Sequence, residues 1–233
     1  MLYSLEAVRD NIRNREGKRV FYLGKGDQLT SEARDYLCRE RIDILPATLA
    51  KPDSYTLPGG GTLSQKPEHM THLYGNTLVP KNHPRIRFRG KIDTLESELI
   101  LCQLEGAYTG ELRQILELVR RLIACDVLRE PVGDTELCGL DAEDQRKHSH
   151  FPQEYYGQPH FMPEHTDGPV IARLNRARCA AREAELAGVD AFVDVDGVPT
   201  RPDILQALNR VSSMLYILMI RAKAGPERNV YGY

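Results

Sequence analysis

Four polar residues recur at helical spacing inside an otherwise apolar stretch of the sequence. The stretch RPDILQALNRVSSMLYILMI covers residues 201–220, and Asn209, Ser212, Ser213 and Tyr216 lie in it at positions i, i+3, i+4 and i+7. Residues at this spacing share one face of an α-helix. The pattern predicts a helix whose polar face contacts a ligand, or a helix whose small hydroxyls only pack against a neighbour. Another face is an apolar seam, formed by Ile204, Leu208, Val211, Leu215 and Leu218.

A second helix carries arginines on one continuous face. In VIARLNRARCAAREAELAG, residues 170–188, the polar positions recur at i, i+3, i+7 and i+10: Asn175, Arg178, Arg182 and Glu185. A forked guanidinium suits phosphate or carboxylate, so this face is a candidate anion site. A solvated charged face is the alternative. The alanine-rich face of the same helix predicts close packing against a neighbouring helix.

A third stretch has the composition of a phosphate-binding loop. MTHLYGNTLVPKNHPR, residues 70–85, mixes Thr, Gly, Asn and Lys just before a helix start, where backbone N–H groups favour anions. The helix that follows carries Asp93 and Glu96 on one face. No GxxxxGK[ST] or GxGxxG sequence is present, so the standard nucleotide motifs are absent.

The elements that must position these residues fall into a small first module and a helical remainder. YSLEAVRDNIRNRE predicts a helix, KRVFYL a strand, and LTSEARDYLCRER a helix capped by Thr30 or Ser31. Four long helices then predict a mainly α fold, a four- or five-helix bundle with a small α+β N-terminal module. The predicted divisions are a module over 1–47, a Pro/Gly/Ser-rich linker over 48–66 and a bundle over 67–225.

Composition excludes several classes of protein. The formal net charge of −2, with both signs interspersed, offers no field suited to nucleic acid or to an anionic membrane. The cysteines number five and include no CxxC pair, which argues against a disulfide framework and favours a reducing compartment. The start MLYSLEAVRD has charges by its sixth residue, unlike a secretory signal. We therefore expect a soluble cytoplasmic protein.

Together, the three stretches resemble the motif blocks of the ATP:cobalamin adenosyltransferases. The blocks are THLYGNTLVPKNHPRIRFRGKIDTLESEL, LNRARCAAREAE and RPDILQALNRVSS, in order over about residues 67–222. EPVGDTELCGLDAED and SHFPQEYY are similar to the ethanolamine-utilisation branch of that family. The resemblance implies a helical bundle that transfers the 5′-deoxyadenosyl group of ATP to the cobalt of cob(I)alamin. The product, adenosylcobalamin, would support ethanolamine ammonia-lyase, with release of triphosphate or its cleavage products.

The resemblance also assigns roles to individual residues. It implies that Arg182 binds the triphosphate, that Asn209 contacts ATP, and that Asp93 and Arg178 bridge neighbouring subunits at the active site. The residues that it implies for binding ATP, its Mg²⁺ or the corrinoid are Thr71, Gly75, Lys81, Glu185, Arg210, Phe161 and Met162. Phe161 and Met162 align near a position that is apolar in the family. The side chain at that position displaces the lower axial ligand of cobalamin.

The sequence departs from the family pattern at two places. The Thr-Gly-Asp-x-Gly sequence of the trimeric relatives is replaced by SQKPEHM, and the Cys-Cys-x-x-Cys cluster of some ethanolamine-type relatives is missing. The spacing of four histidines fits no tight metal site: His148, His150, His160 and His165. We therefore predict that Mg²⁺ arrives with ATP and that the protein binds no iron or zinc.

The resemblance leaves the partners open. It implies a homo-oligomer, trimer or dimer, with ATP and cobalamin as substrates. The candidate protein partners are ethanolamine ammonia-lyase, its reactivase and a microcompartment shell. The interior of a microcompartment is a candidate location. A non-catalytic corrinoid carrier or scaffold and a different ATP-using transferase are the alternative functions.

Overall fold

The computed structural model describes residues 1–15, 17–47 and 54–225, and these form two compact units. One unit contains Met1–Ile86 and Ala124–Pro131. The other contains Arg87–Ile123 and the chain from Val132 onward. Each unit is described separately below.

The start of the first unit is a small α+β arrangement. Strands β1 (Leu2–Tyr3) and β4 (Gln28–Leu29) pair in parallel, and a second sheet has the order β2 (Arg13–Arg15), β3 (Lys18–Leu23), β5 (Asp43–Pro46). Helices α1 (Leu5–Asp10) and α2 (Ser31–Arg39) contribute to an apolar core with β3, formed by Val8, Phe21, Ala33, Leu37 and Ile42. The predicted strand KRVFYL is confirmed.

The two helices differ in how well the sequence predicted their ends. Thr30 caps α2, as predicted, because its hydroxyl accepts the Ala33 N–H at 3.2 Å. The first helix is shorter than predicted: it ends at Asp10, where the Asn11 side chain donates to the Ala7 carbonyl at 2.8 Å. The chain then pairs with β3 as an antiparallel strand, so a sheet ladder replaces the predicted last turns.

A four-stranded sheet completes the first unit. Its order is β7 (Thr62–Leu63), β6 (Tyr55–Thr56), β9 (Thr77–Pro80), β8 (Met70–Tyr74). Of the predicted linker 48–66, residues 48–53 lie outside the described residues, and the remainder contributes β6 and β7. The proposed boundaries of the N-terminal module, linker and bundle stay a prediction.

Gly75 closes the β8–β9 hairpin against the N-terminal helix. Its φ is +49°, and a Cβ there would lie 2.4 Å from the Asp10 carbonyl oxygen. The Gly75 N–H donates to Asn11 Oδ1 at 3.1 Å, and Arg129 pairs with Asp10 at 2.8 Å. Only glycine combines a positive φ with so close a backbone approach.

The second unit is built on long helices. Helices α3 (Pro84–Gln103) and α4 (Thr109–Leu128) have most of their length in it, and α5 (Ala142–His150), α6 (Pro152–Tyr156), α7 (Gly168–Phe192) and α8 (Pro202–Ala224) follow. The mainly α fold with a small α+β N-terminal region is confirmed. No helix in the described ranges is both long enough and apolar enough to cross a membrane.

Helix α7 packs against α8 through small residues. Ala177, Ala181 and Ala184 are fully buried, and a Cβ on Gly188 would lie 3.1 Å from Leu205 Cδ2. The predicted apolar seam of α8 is confirmed, since Ile204, Leu208, Val211, Leu215 and Leu218 are all fully buried.

Ion pairs follow the antiparallel arrangement of α7 and α3. The paired positions run in opposite directions along the chain: Lys91 with Glu183 at 2.8 Å, Glu98 with Arg176 at 3.0 Å, and Glu105, just after α3, with Arg173 at 3.5 Å. Exposed pairs of this kind contribute less than about 1 kcal/mol each, so they set the register of two already packed helices.

We predict that Gly75→Ala destabilises the protein more than an alanine at another glycine of positive φ. The left-handed backbone costs an alanine about 1–2 kcal/mol, and moving the Asp10 backbone adds about 1–3 kcal/mol. Gly26 is the matched control, because its φ is +91° and a Cβ added there would meet no atom of the described residues within 4 Å. Urea unfolding of both variants measures the difference. Equal losses of unfolding free energy would contradict the close approach at Gly75.

Candidate functional site

A polar cluster joins α7 to α8 at the edge of their packed faces. Asn209 Nδ2 donates to Glu185 Oε1 at 3.2 Å, and Arg210 donates through one terminal nitrogen to Asn209 Oδ1. The other terminal nitrogen of Arg210 donates to the Ala142 carbonyl at 3.0 Å. The carboxylate, amide and guanidinium therefore form one hydrogen-bonded chain, and the amide of Asn209 has a defined orientation.

Arg210 retains an unused donor in this cluster. Its Nε is buried and has no hydrogen-bond partner among the residues that the structure describes. Burial lowers the pKa of Arg210, and Arg146 acts in the same direction. An arginine stays charged in proteins, so Arg210 brings a positive charge to the cluster, beside the Glu185 carboxylate.

The start of α8 is fixed by an acidic side chain. Asp203 pairs with Arg201 at 2.8 Å and accepts the Val132 N–H at 3.0 Å. Burial raises the pKa of Asp203, but the hydrogen bonds from Arg201 and Val132 outweigh it and leave the pKa below its ordinary value. The carboxylate thus stays ionised at neutral pH and ties the first turn of α8 to the chain after α4.

The arginines of α7 differ in what they contact. Arg176 pairs with Glu98 of α3, and Arg173 pairs with Glu105 just after α3. The Arg178 guanidinium lies over the Tyr216 ring at 5.1 Å from its centroid. Arg182 is exposed and has no ion-pair partner within the described part of the chain. It lies one turn before Glu185 on the same face of α7. Its five N–H donors are available to an anion.

Asp93 and Arg178 do not pair with each other within the described part of one chain. Asp93 is exposed on α3, and none of the ion pairs between described residues joins it to Arg178. Both side chains belong to the second unit. A pair formed between two subunits stays a prediction.

The residues expected to contact the corrinoid lie in the segment between α6 and α7. Met162 is 84% exposed, and the ring of half-buried Phe161 has Lys223 Nζ at 5.5 Å from its centroid. Lys223 also pairs with Asp167, where α7 begins. An exposed methionine beside an anchored aromatic ring offers an apolar surface to a ligand.

Three predicted ATP-loop residues lie on the β8–β9 hairpin of the first unit. Thr71 is half-buried on β8 opposite Val79, and exposed Lys81 follows β9 directly. The Lys81 N–H donates to the His69 carbonyl at 2.9 Å, which fixes the backbone and leaves the side chain in solvent. Gly75 has the packing role described above, and its predicted contact with ATP stays a prediction.

Sequence reasoning missed a cavity of about 780 Å³ between α4, α5, α6 and α8. One wall is aromatic: His148 stacks on Tyr155 with ring centroids 3.8 Å apart, and its Nδ1 lies 2.7 Å from the Tyr156 hydroxyl. Burial lowers the pKa of His148, which favours the neutral ring. No sequence signal marks the cavity, because its lining comes from several separate elements.

Two of the four histidines considered as metal ligands are engaged with tyrosines. His148 contacts Tyr156, and His160 Nδ1 lies 2.8 Å from the Tyr216 hydroxyl. Over residues 1–15, 17–47 and 54–225, no group of three or more His, Cys, Asp or Glu side chains could hold a metal ion.

Comparison with known proteins agrees with the three motif blocks. Residues 62–222 match the family model for cobalamin adenosyltransferase, and every predicted site residue lies in that range. The chain is 36% identical over 160 residues to the corrinoid adenosyltransferase EutT of Escherichia coli (strain K12), which covers 68% of this chain and 60% of that protein. It is 33% identical over 162 residues to the protein of the same name from Salmonella typhimurium (strain LT2), and this match covers 69% of this chain and 61% of that protein.

The match therefore spans about 60% of the length of these curated relatives. The family model covers well over half of this chain. The chain belongs to the cobalamin adenosyltransferase family.

Proposed function

We propose that this protein transfers the 5′-deoxyadenosyl group of ATP to the cobalt of cob(I)alamin and so forms adenosylcobalamin. The observation that carries the proposal is the polar face of α7 and α8, where exposed Arg182 stands one turn from the Glu185–Asn209–Arg210 chain. This face lies inside the region that matches the family model. It combines donors for an anionic ligand with one carboxylate.

The reaction needs positioning and charge stabilisation rather than proton transfer. The electron pair of Co(I) forms the cobalt–carbon bond at C5′ of ATP, and the C5′–oxygen bond breaks with its pair leaving on the triphosphate. Arg182 and Lys81 are proposed to donate to the phosphate oxygens, where negative charge grows. Asn209 and Arg210 are proposed to orient the nucleotide, so that C5′ lies in line with the cobalt.

Mg²⁺ is proposed to arrive with ATP. This ion binds through one or two carboxylates together with substrate phosphates, and Glu185 supplies one carboxylate beside Asn209. Thr71 and Gly75 are proposed to contact ATP from the hairpin, and Phe161 and Met162 to contact the corrinoid. We propose no iron or zinc held by the protein itself.

The partners and location are proposals from the same source. The relatives carry the name corrinoid adenosyltransferase EutT, and we propose by analogy that the product supports ethanolamine ammonia-lyase. A homo-oligomer is proposed because Asp93 and Arg178 are assigned to an active site shared between subunits. Association with a bacterial microcompartment and a docking or assembly role for residues 1–47 complete the proposal.

The function is tested with purified protein that has been dialysed against EDTA. On addition of ATP, Mg²⁺ and chemically reduced cobalamin, we expect the visible spectrum to change to that of a light-sensitive alkylcobalamin. Elemental analysis should find no stoichiometric iron or zinc. Binding of cobalamin without this conversion would favour a carrier instead. Activity lost on chelation and restored only by iron or zinc would contradict the metal proposal.

We predict that Arg182→Ala lowers kcat/KM for ATP by an amount equivalent to about 2–4 kcal/mol. The reason is the loss of a charge-assisted contact to the leaving triphosphate. The melting temperature should not change, because the side chain is exposed and makes no ion pair with the described residues. The matched control is Arg176→Ala on the same helix, which removes an exposed ion pair to Glu98 and should alter kcat/KM less than about threefold. Equal effects of the two substitutions on kcat/KM would contradict the assignment of Arg182 to the site.

We predict that Asp93→Ala and Arg178→Ala are each impaired and that mixed oligomers of the two variants recover activity. A site that takes Asp93 from one subunit and Arg178 from its neighbour is intact at about half of the sites in a mixed dimer and about a third of those in a mixed cyclic trimer. The two variants are co-expressed with different affinity tags. Successive purification on the two tags then gives the mixed oligomers for assay. Mixed oligomers as inactive as the parent variants would contradict a pair shared between subunits.

A further inference from the structure

Tyr216 contacts two parts of the proposed site from the middle of α8. Its ring lies under the Arg178 guanidinium of α7, at 5.1 Å from the ring centroid. Its hydroxyl lies 2.8 Å from His160 Nδ1, and the two rings are nearly parallel, at an angle of 11°. Tyr216 belongs to the polar stripe that includes Asn209, two turns earlier on the helix.

The partners of His160 define the direction of these hydrogen bonds. His160 Nε2 lies 3.1 Å from the His150 carbonyl oxygen, which can only accept, so Nε2 carries the proton. In the neutral ring Nδ1 is then an acceptor, and the Tyr216 hydroxyl donates to it. One imidazole thus links the end of α5 to the middle of α8.

The segment that contains His160 has few other restraints. Gly157–Glu164 lies between α6 and the turn before α7 and forms neither helix nor strand. Pro159 and Pro163 lack backbone N–H donors. At its end, the Glu164 N–H donates to Asp167 at 2.9 Å. Between these points, Phe161 and Met162 follow His160 directly.

We propose that Tyr216 and His160 are positioning residues that hold Gly157–Glu164 against α8 and so place Phe161 and Met162 for the corrinoid. The inference rests on the proposed function, because it assigns the aligned segment to that substrate. The hydroxyl of Tyr216 is the specific requirement, since a phenylalanine would keep the ring under Arg178 but release His160. The polar cluster at Asn209 does not depend on this contact.

The test substitution is Tyr216→Phe in the full chain, with Tyr108→Phe as the matched control. Tyr108 also lies under an arginine, with the Arg221 guanidinium at 5.0 Å, and its hydroxyl makes no hydrogen bond within the described ranges. Hydrogen–deuterium exchange of the peptide 157–164, without substrates, measures the restraint directly. Loss of the hydroxyl removes its hydrogen bonds with His160 and with the Phe161 backbone. Exchange should accelerate on the order of fivefold in Tyr216→Phe, and less than twofold in Tyr108→Phe.

Steady-state kinetics then separate positioning from general damage. In Tyr216→Phe the KM for cob(I)alamin should rise on the order of fivefold, while the KM for ATP stays within about twofold. His160→Ala should also accelerate exchange, and the double variant should exchange no faster than Tyr216→Phe alone.

Each outcome bears on one claim. Unchanged exchange in Tyr216→Phe would overturn the inference even if the wild type is an active adenosyltransferase. Faster exchange with an unchanged KM for cob(I)alamin would mean that the Tyr216–His160 contact is only structural. This result would also overturn the inference. A wild type that makes no adenosylcobalamin would instead overturn the proposed function, while the exchange data would still report whether Tyr216 restrains the segment.

Discussion

The close approach of α7 and α8 is the feature that holds the proposed site together. Alanines fill the buried face of α7, and a Cβ on Gly188 would lie only 3.1 Å from Leu205 Cδ2. Because the helices approach this closely, Asn209 and Glu185 meet at 3.2 Å at the edge of the packed faces. Larger residues on the alanine face would separate the two helices and break this contact. The Glu185–Asn209 contact is therefore held by two packed helices rather than by loops.

The distribution of charge along α7 follows from its neighbours. On one side, Arg176 pairs with Glu98 of α3 and Arg173 with Glu105 just after that helix. Further round the helix, Arg178 lies over an aromatic ring and Arg182 faces solvent. A chain of net charge −2 can thus present a local cation to an anionic ligand without an overall basic field. The same arrangement explains why composition alone gave no sign of a nucleotide ligand.

The first unit shows that the residues before the family-matched region are packed against part of it. Asn11 accepts from Gly75, and Asp10 pairs with Arg129, so α1 contacts both the hairpin and the end of α4. The glycine in the predicted ATP loop is consequently required for packing, whatever it contributes to a ligand. A residue can match a family motif and have a structural reason of its own.

Helices with a regular spacing of apolar and polar residues could be predicted from the amino-acid sequence, and so could the candidate site residues. Helical spacing predicted the seam of α8 and the polar stripe beside it, and three motif blocks identified the family. The spacing of apolar residues shows which side of a helix or strand is buried. It does not show which distant residue that side contacts. The His160–Tyr216 contact joins residues 56 apart, and the aromatic cavity has walls from several helices. The short first helix, the strands within 54–66 and these contacts were visible only in the folded chain, because they depend on pairing and packing between residues far apart in the sequence.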